Sequence, residues 1–267
     1  MTRRVGVFGA GGRMGSTVCQ AVIADPDLEL VAAVDPFHAG LDLHSVARVG
    51  PNGAGTDLVV ERSAEALLDA GVEVAIDFTR IDAARENLRF CAEHGLHAVV
   101  GTTGFGQDDY EEVAALFTKS GCVIAPNFAI GAVLMMRFAE LAAPFFDSAE
   151  IIELHHDGKV DAPSGTAMMT AERMAAASST WSPDPTQETV LPGARGGQGP
   201  AGIPVHSVRL RGLTAHQEVL LGTAGQTLTL RHDSFDRSSF MPGVMLAVKA
   251  VADRPGLTVG LEPLLGL

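Results

Sequence analysis

The residues best equipped for chemistry form one run, Glu153-Leu154-His155-His156-Asp157-Gly158-Lys159-Val160-Asp161-Ala162-Pro163-Ser164-Gly165-Thr166-Ala167. A short apolar segment leads into two adjacent histidines, a lysine and a Ser-Gly-Thr helix start. Exposed amides at Ser164, Gly165 and Thr166, with a helix dipole behind them, suit a carboxylate. Lys159 adds a cation nearby. Histidine exchanges protons near neutral pH, but successive strand residues point to opposite faces, so His155 and His156 share a task only if the strand ends there. Plainer readings exist: a structural histidine, Ser164 as an N-cap, and solvated charges at Lys159 and Asp161. Zinc fits poorly, because His155-His156-Asp157 matches no standard ligand spacing and no thiol is near. A serine nucleophile at Ser164 would lack the G-x-S-x-G elbow. No metal site is expected.

A second cluster, Gly9-Ala10-Gly11-Gly12-Arg13-Met14-Gly15, follows the first candidate strand and opens the first candidate helix. Glycines there let backbone amides and a helix N-terminus approach a pyrophosphate. The strict G-x-G-x-x-G frame fails at Met14; the frame that works is Gly9-x-x-Gly12-x-x-Gly15. Asp35 ends the second candidate strand, 20 residues after Gly15, where a carboxylate accepts from an adenosine ribose hydroxyl. The competing reading is a tight turn with Asp35 as a strand-end cap. Three more loops, Asp77-Phe78-Thr79, Gly101-Thr102-Thr103-Gly104-Phe105 and Ala125-Pro126-Asn127-Phe128, follow later strands. Ligands of open α/β sheets bind outside those strand ends, so a shared nucleotide and substrate cleft is expected.

The elements that must position these residues alternate in the first half. Strand candidates are Arg4 to Gly9, Leu28 to Asp35, Val72 to Phe78, Leu96 to Gly101 and Cys122 to Pro126. Helix candidates between them are Arg13 to Ala24, Ser63 to Ala70, Ile81 to His94 and Asp108 to Ser120. Such spacing implies right-handed crossovers and a mostly parallel sheet covered on both faces. The second half differs. A strand at Glu150 to His156 and a helix at Gly165 to Ala177 precede a Pro/Gly-rich stretch, Trp181 to Pro204, read as lacking regular structure. Val205 to Arg211, Gln217 to Leu221 and Gln226 to His232 then follow too closely for crossovers, which predicts an antiparallel sheet. Ser238 to Ala252 is a final helix able to return to the first sheet. The fold class is therefore α/β: a Rossmann-like dinucleotide-binding domain over residues 1–127 with 237–267, plus an α+β domain over 128–236 with an open mixed or antiparallel sheet.

Composition narrows the function classes. The 267 residues are 46% apolar and 19% charged, enough for a sizeable core and unlike a disordered or fibrous chain. Nineteen basic against 32 acidic residues give a formal charge of -13. That surface repels phosphate backbones and anionic lipid, so neither nucleic acid nor membrane is an expected partner. The longest charge-free stretch, Ser120 to Met136, is broken by Pro126 and Asn127 and does not read as a membrane span. Three scattered cysteines and a glycine-broken N-terminus point to a soluble, cytoplasmic protein in a reducing compartment.

Together the motifs resemble the dihydrodipicolinate reductase family of the diaminopimelate-lysine pathway. The resemblance rests on Gly9 to Gly15, Asp77-Phe78-Thr79, Gly101 to Phe105, Pro126-Asn127-Phe128 and the His-His-x-x-Lys-x-Asp-x-Pro-Ser-Gly-Thr run. Gly193 to Gly196, Gly202 to Arg209 and His232-Asp233-Ser234 extend it toward the actinobacterial branch, so it spans essentially the whole chain. The resemblance implies NAD(P)H-dependent reduction of 4-hydroxy-tetrahydrodipicolinate to tetrahydrodipicolinate, a small dicarboxylate, by a homotetramer. It implies that His155 is the general acid and Lys159 a second proton donor or carboxylate contact. His156, Gly165 and Thr166 would hold substrate carboxylates with Ser164 in support. Gly9, Ala10, Gly11, Gly12, Arg13, Met14, Asp35, Phe78, Thr79, Gly101, Thr102, Thr103, Ala125, Pro126, Asn127 and Phe128 would hold the cofactor. Two departures stand out. Gly158 replaces a histidine that relatives often carry before the lysine. Pro36 stands where some relatives place an arginine for a 2′-phosphate, so both NADH and NADPH are expected with a lean to NADH, Arg13 and His38 being the groups that could still serve NADPH. The competing functions are a related amino-acid-pathway dehydrogenase and a catalytically inactive NAD(P)H sensor.

Overall fold

A computed structural model describes residues 2–47 and 57–267. The chain divides into two compact units, residues 1–128 with 240–267 and residues 129–239. The first half runs β1 (Arg3–Phe8), α1 (Arg13–Ala24), β2 (Leu28–Val34), α2 (Leu43–Ala47), α3 (Glu65–Asp69), β3 (Val74–Asp77), α4 (Ile81–His94), β4 (His97–Val100), α5 (Gln107–Leu116) and β5 (Gly121–Ile124). Then come α6 (Ile130–Ala142), β6 (Ser148–His155), α7 (Gly165–Ala177), β7 (Gly197–Gln198), β8 (Pro204–Arg209), β9 (Ala215–Thr223) and β10 (Gln226–Ser234). The chain closes with α8 (Met241–Ala250), β11 (Gly256–Val259) and α9 (Glu262–Leu265).

In the first unit six parallel strands lie in the order β11-β5-β4-β3-β1-β2. Strands β3 and β5 are buried throughout, the expected result for short apolar runs covered on both faces. Helix α4 turns Ala84, Leu88 and Cys91 inward, a spacing that keeps one stripe on the sheet. The strand order reverses between β1 and β3, so the loops after these two strands flank the switch point where such sheets bind ligands.

Several boundaries depart from the sequence reading. Helix α5 ends at Leu116, not Ser120, because Phe117 turns into the core and is fully buried. The final helix is shorter than Ser238 to Ala252. Asp236 binds the backbone and hydroxyl of Ser238 in a separate turn, and α8 proper begins at Met241 with Pro242 in its first turn. Strand β11 was not anticipated; its three apolar-or-threonine residues between Gly256 and Gly260 are too few to show a period. Helix α6 was also missed, because its first half lies in the charge-free stretch, where no polar residue marks a face, and Arg137 and Glu140 appear only in its second half.

The second unit carries a five-stranded sheet in the order β10-β9-β6-β8-β7. Strands β9 and β10 form the expected antiparallel hairpin, turning at Gly225, whose φ of +82° suits glycine. Strand β8, however, does not pair with β9. It runs parallel to β6, which lies between them. The five-residue link Leu210 to Thr214 reaches up to roughly 16 Å, enough to skip one strand at about 5 Å spacing. The segment Trp181 to Pro204 is not wholly irregular: it contains β7 and a 3-10 turn at Pro200–Gly202. Arg195 ties this segment to Glu150 of β6 and pairs within it with Asp184. Ile151, Val219 and Leu221 of the sheet pack on Met135 and Ala139 of α6 and on Ala167, Ala171 and Met174 of α7.

Candidate functional site

In the first unit the glycine loop folds as the Gly9-x-x-Gly12-x-x-Gly15 frame requires. Gly9 has φ +71°, in the left-handed region. A Cβ on Gly15 would stand 2.0 Å from the Gly9 carbonyl oxygen, so α1 meets the loop at a distance only glycine permits. The Gly9 and Ala10 amides donate to Val34 O at 2.7 and 3.3 Å, and Gly12 N–H donates to Gly9 O at 2.9 Å. Gly11 N–H donates to Asp35 Oδ2 at 3.0 Å, and Asp35 Oδ1 accepts from Phe37 N at 3.0 Å. Asp35 is thus a strand-end cap that closes the glycine loop, with lone pairs left for a ribose hydroxyl. The first-turn amides of α1, at Arg13, Met14 and Gly15, lie behind an N-cap glycine that offers no side-chain acceptor, the arrangement that receives a phosphate. His38 Nδ1, 3.2 Å from Asp35 Oδ1, is buried without a hydrogen-bond partner. These residues fit a dinucleotide.

The neighbouring loops are held by Asp77, a residue to which the sequence reading gave no role of its own. Its buried carboxylate accepts from Thr79 N and Thr79 Oγ1, both at 2.7 Å, from Asn87 Nδ2 at 2.7 Å and from Thr102 Oγ1 at 3.2 Å. Burial pushes its carboxyl up against the pull of those donors. One side chain thereby joins the loops after β3 and β4. A Cβ on Gly101 would meet the Phe78 ring at 2.0 Å, and the Phe78 and Phe128 ring centroids are 5.8 Å apart. Gly9 closes the group: a Cβ there would lie 3.0 Å from Thr79 Cγ2. Ala125 N–H donates to Val100 O at 3.1 Å. Thr103 and Pro126 are exposed, and Asn127 is half-buried.

In the second unit, β6 ends at His155, so His156 is released from strand alternation and is exposed. His155 Nδ1 lies 2.5 Å from Glu153 Oε2. Glu153 is completely buried. It also accepts Ser164 N–H at 3.2 Å and both Arg209 Nη1 and Nη2 at 2.8 Å. Ser164 caps α7, its hydroxyl accepting Ala167 N–H at 3.2 Å; Gly165 is exposed at the helix start and Thr166 half-buried. Ser164 serves as the cap: its Oγ takes Ala167 N–H and its own N–H goes to Glu153, so it supports the turn without itself donating to an anion. Lys159 Nζ is held 2.8 Å from each Asp161 carboxylate oxygen. Beneath the cradle, Gln217 Nε2 donates to Thr170 Oγ1 at 2.7 Å, and Thr170 donates to Thr166 O at 2.7 Å.

The electrostatics follow from burial and these partners. Burial alone would raise the Glu153 carboxyl, but Arg209, Ser207 and His155 outweigh it and hold the group ionised. Burial lowers the His155 imidazole; the Glu153 carboxylate pulls the other way, and Lys159 and Arg209 push it further down. His155 therefore rests below its ordinary value, neutral near pH 7, with its Nδ1–H on Glu153 and no hydrogen bond to Nε2 among the described residues. A dianionic ligand at Ser164 to Thr166 would draw it back toward the imidazolium. Glu153 and Arg209 were quoted in the sequence motifs without a role. No local signal could have paired them, since they meet only through the β6–β8 register, 56 residues apart.

Comparison with known proteins places this geometry in a family. Residues 3–128 match the model described as dihydrodipicolinate reductase, N-terminus, and residues 131–265 the one described as dihydrodipicolinate reductase, C-terminus. A 4-hydroxy-tetrahydrodipicolinate reductase from Nocardia farcinica is 53% identical over all of both chains. That from Mycobacterium marinum is also 53% identical, over 99% of each. A dipicolinate-bound dihydrodipicolinate reductase from Paenisporosarcina sp. TG-14 superposes with a TM-score of 0.85 at 42% identity, covering 98% of this chain and 99% of that one. Both halves of the protein, and not the nucleotide-binding half alone, carry the match, and the chain belongs to the dihydrodipicolinate reductase family.

Proposed function

We propose that this protein reduces 4-hydroxy-tetrahydrodipicolinate to tetrahydrodipicolinate, consuming NADH or NADPH and one proton and releasing water. The observation that carries this reading is the second-unit constellation: a carboxylate-bonded histidine, a lysine and a serine-capped Gly-Thr helix start, in a chain whose other unit is built for a dinucleotide. The dipicolinate named in the Paenisporosarcina structure supports the substrate class, a flat ring with two carboxylates.

The bound nicotinamide supplies the hydride. Gly165 and Thr166 hold one carboxylate through backbone amides and the helix dipole, with Ser164 in support as the cap, and His156 and Lys159 meet the other. His155 delivers the proton from Nε2, its imidazolium favoured once the dianion is bound. Positioning matters as much as proton transfer, because fixing the ring against the hydride donor replaces an entropic cost otherwise met in the transition state. Cofactor contacts fall to Gly9 through Met14, Asp35, Phe78, Thr79, Gly101 to Thr103 and Ala125 to Phe128. Asp35 carries a carboxylate for a ribose hydroxyl and is followed by Pro36 where a guanidinium would suit a 2′-phosphate, which favours NADH while leaving NADPH usable. The assembly is a homotetramer and the compartment the cytoplasm. Among the described residues no helix is long and apolar enough to cross a membrane.

The test is NADH oxidation followed by absorbance with freshly generated 4-hydroxy-tetrahydrodipicolinate, in parallel with aspartate semialdehyde and pyruvate. Turnover with the first alone is the expected result. Turnover with either of the others in its place would point to the related dehydrogenase, and NADH binding with no turnover to the sensor.

A further inference from the structure

Glu153 does more than fill a buried position. One carboxylate accepts four donors from three places: the proton-transfer imidazole on its own strand, the amide of the α7 cap residue Ser164 beside the anion cradle, and both Nη groups of Arg209 across the sheet. Arg209 in turn donates to Asp161 O at 2.6 Å, reaching the loop that carries Lys159. A carboxylate buried this deeply would be costly unless paired, and Arg209 pairs it with a fork matched to its geometry. Oε1 accepts Ser164 N–H and Arg209 Nη2 while Oε2 accepts Arg209 Nη1, and the remaining lone pair of Oε2 is directed to His155. Only an N–H can sit 2.5 Å from that oxygen, so the proton of neutral His155 is confined to Nδ1 and Nε2 is turned outward.

We propose that Glu153 is the positioning residue of the reduction, fixing the tautomer of His155 and tying it to the Ser164 cradle, with Arg209 as the cation that keeps it ionised. The proposal rests on the reductase reading for its catalytic consequence, but its structural content, which imidazole nitrogen bears the proton, stands apart from any substrate. The arrangement is a buried carboxylate behind an imidazole, as in acid-base dyads generally, where the carboxylate selects the tautomer and stabilises the imidazolium without itself being protonated. Here the same carboxylate also reaches the anion site. Movement of the cradle and reorientation of the acid are thereby linked through one group.

Glu153→Gln tests this directly. Ser164 N–H and Arg209 Nη2 claim the amide oxygen, which places the amide NH2 at the Oε2 position facing Nδ1 and obliges Arg209 Nη1 to withdraw from it. Nδ1 must then become the acceptor, and the proton moves to Nε2. In ligand-free protein labelled with 15N-histidine, long-range 1H–15N correlation near neutral pH should show His155 protonated at Nδ1 in the wild type and at Nε2 in the variant, the resonances being identified by their loss in His155→Gln. Turnover should fall at least tenfold in E153Q with NADH affinity unchanged within twofold. The basic limb of kcat/KM should also move to lower pH. The groups facing His155 are Glu153 on its own strand, Lys159 in the following loop and Arg209 on β8, while its β9 partner is the uncharged Ala215, and the substitution removes only the anion among them. If E153Q proves unstable, Glu153→Asp keeps a charge for Arg209 but withdraws the oxygen from Nδ1, and the same loss of a single tautomer is expected. A wild type that lacks the Nδ1–H form, or a folded variant that retains it with turnover within twofold, would overturn the proposal. If instead wild-type enzyme turns over none of the substrates, the reductase reading fails while the tautomer measurement still decides the role of Glu153.

Discussion

The glycine loop gives the sharpest quantitative prediction. In Gly15→Ala the new methyl would stand 2.0 Å from the Gly9 carbonyl oxygen, 2.7 Å from its carbon and 3.0 Å from Ala10 Cα. These are backbone atoms, so no rotamer change relieves the overlap; the Gly9 peptide must retreat by roughly 1 Å to restore ordinary contact, about 3 Å or more for carbon against oxygen. Such overpacking costs about 1–3 kcal/mol, and the better helix propensity of alanine returns about 1 kcal/mol. Net destabilisation should therefore be about 0–2 kcal/mol, a fall in Tm of at most several degrees for a chain of this size. The functional effect should be larger. Gly9 O is the acceptor for Gly12 N–H at 2.9 Å, so its displacement shifts the N-cap and the amides of Arg13 to Gly15 that await a phosphate. We expect NADH affinity to fall at least tenfold by fluorescence titration, with kcat at saturating NADH changed less than threefold. A folded variant with wild-type NADH affinity would refute the assignment of this turn as the pyrophosphate cradle.

Other predictions address the second unit and the core. His155→Ala should lower kcat about 100-fold or more, the range of a lost general acid, while NADH binding stays intact; unchanged turnover would remove His155 from the acid role. Lys159→Ala should reduce turnover as well, and a rise in KM alone would make lysine a carboxylate anchor and nothing more. The pH profile has a defined sign. His155 must be protonated to act and is held below its ordinary value of 6.5 in the free protein, so kcat/KM should fall as pH rises through that lowered value. The kcat limb should lie at higher pH, because the bound dianion raises the group; limbs in the reverse order would contradict the assignment. Finally, Cys19, Cys91 and Cys122 are buried, and burial pushes the Cys19 thiol up to about 12 and raises the other two as well. A thiol reagent should leave the native protein unmodified and titrate all three after denaturation; rapid native labelling would show that the core opens readily.

Much of this protein is legible in its order of residues because the deciding interactions are local. The glycine spacing sets the first turn, since a left-handed φ at Gly9 and a missing Cβ at Gly15 are properties of single positions. The strands β1 to β5 declare themselves as apolar runs between turn residues, and the Ser-Gly-Thr start of α7 declares its cap. What tertiary structure alone decided is where separate strands meet. Nothing in residues 205–223 says that β6 will enter between β8 and β9, because a strand's face is written in its alternation but its neighbour is not. That pairing brings Arg209 to Glu153, and with it selects which nitrogen of His155 holds the proton. Asp77 likewise looks like the end of a strand until folding brings Asn87 and Thr102 to its oxygens. A buried carboxylate takes its character from the donors that surround it, and those donors come from distant parts of the chain.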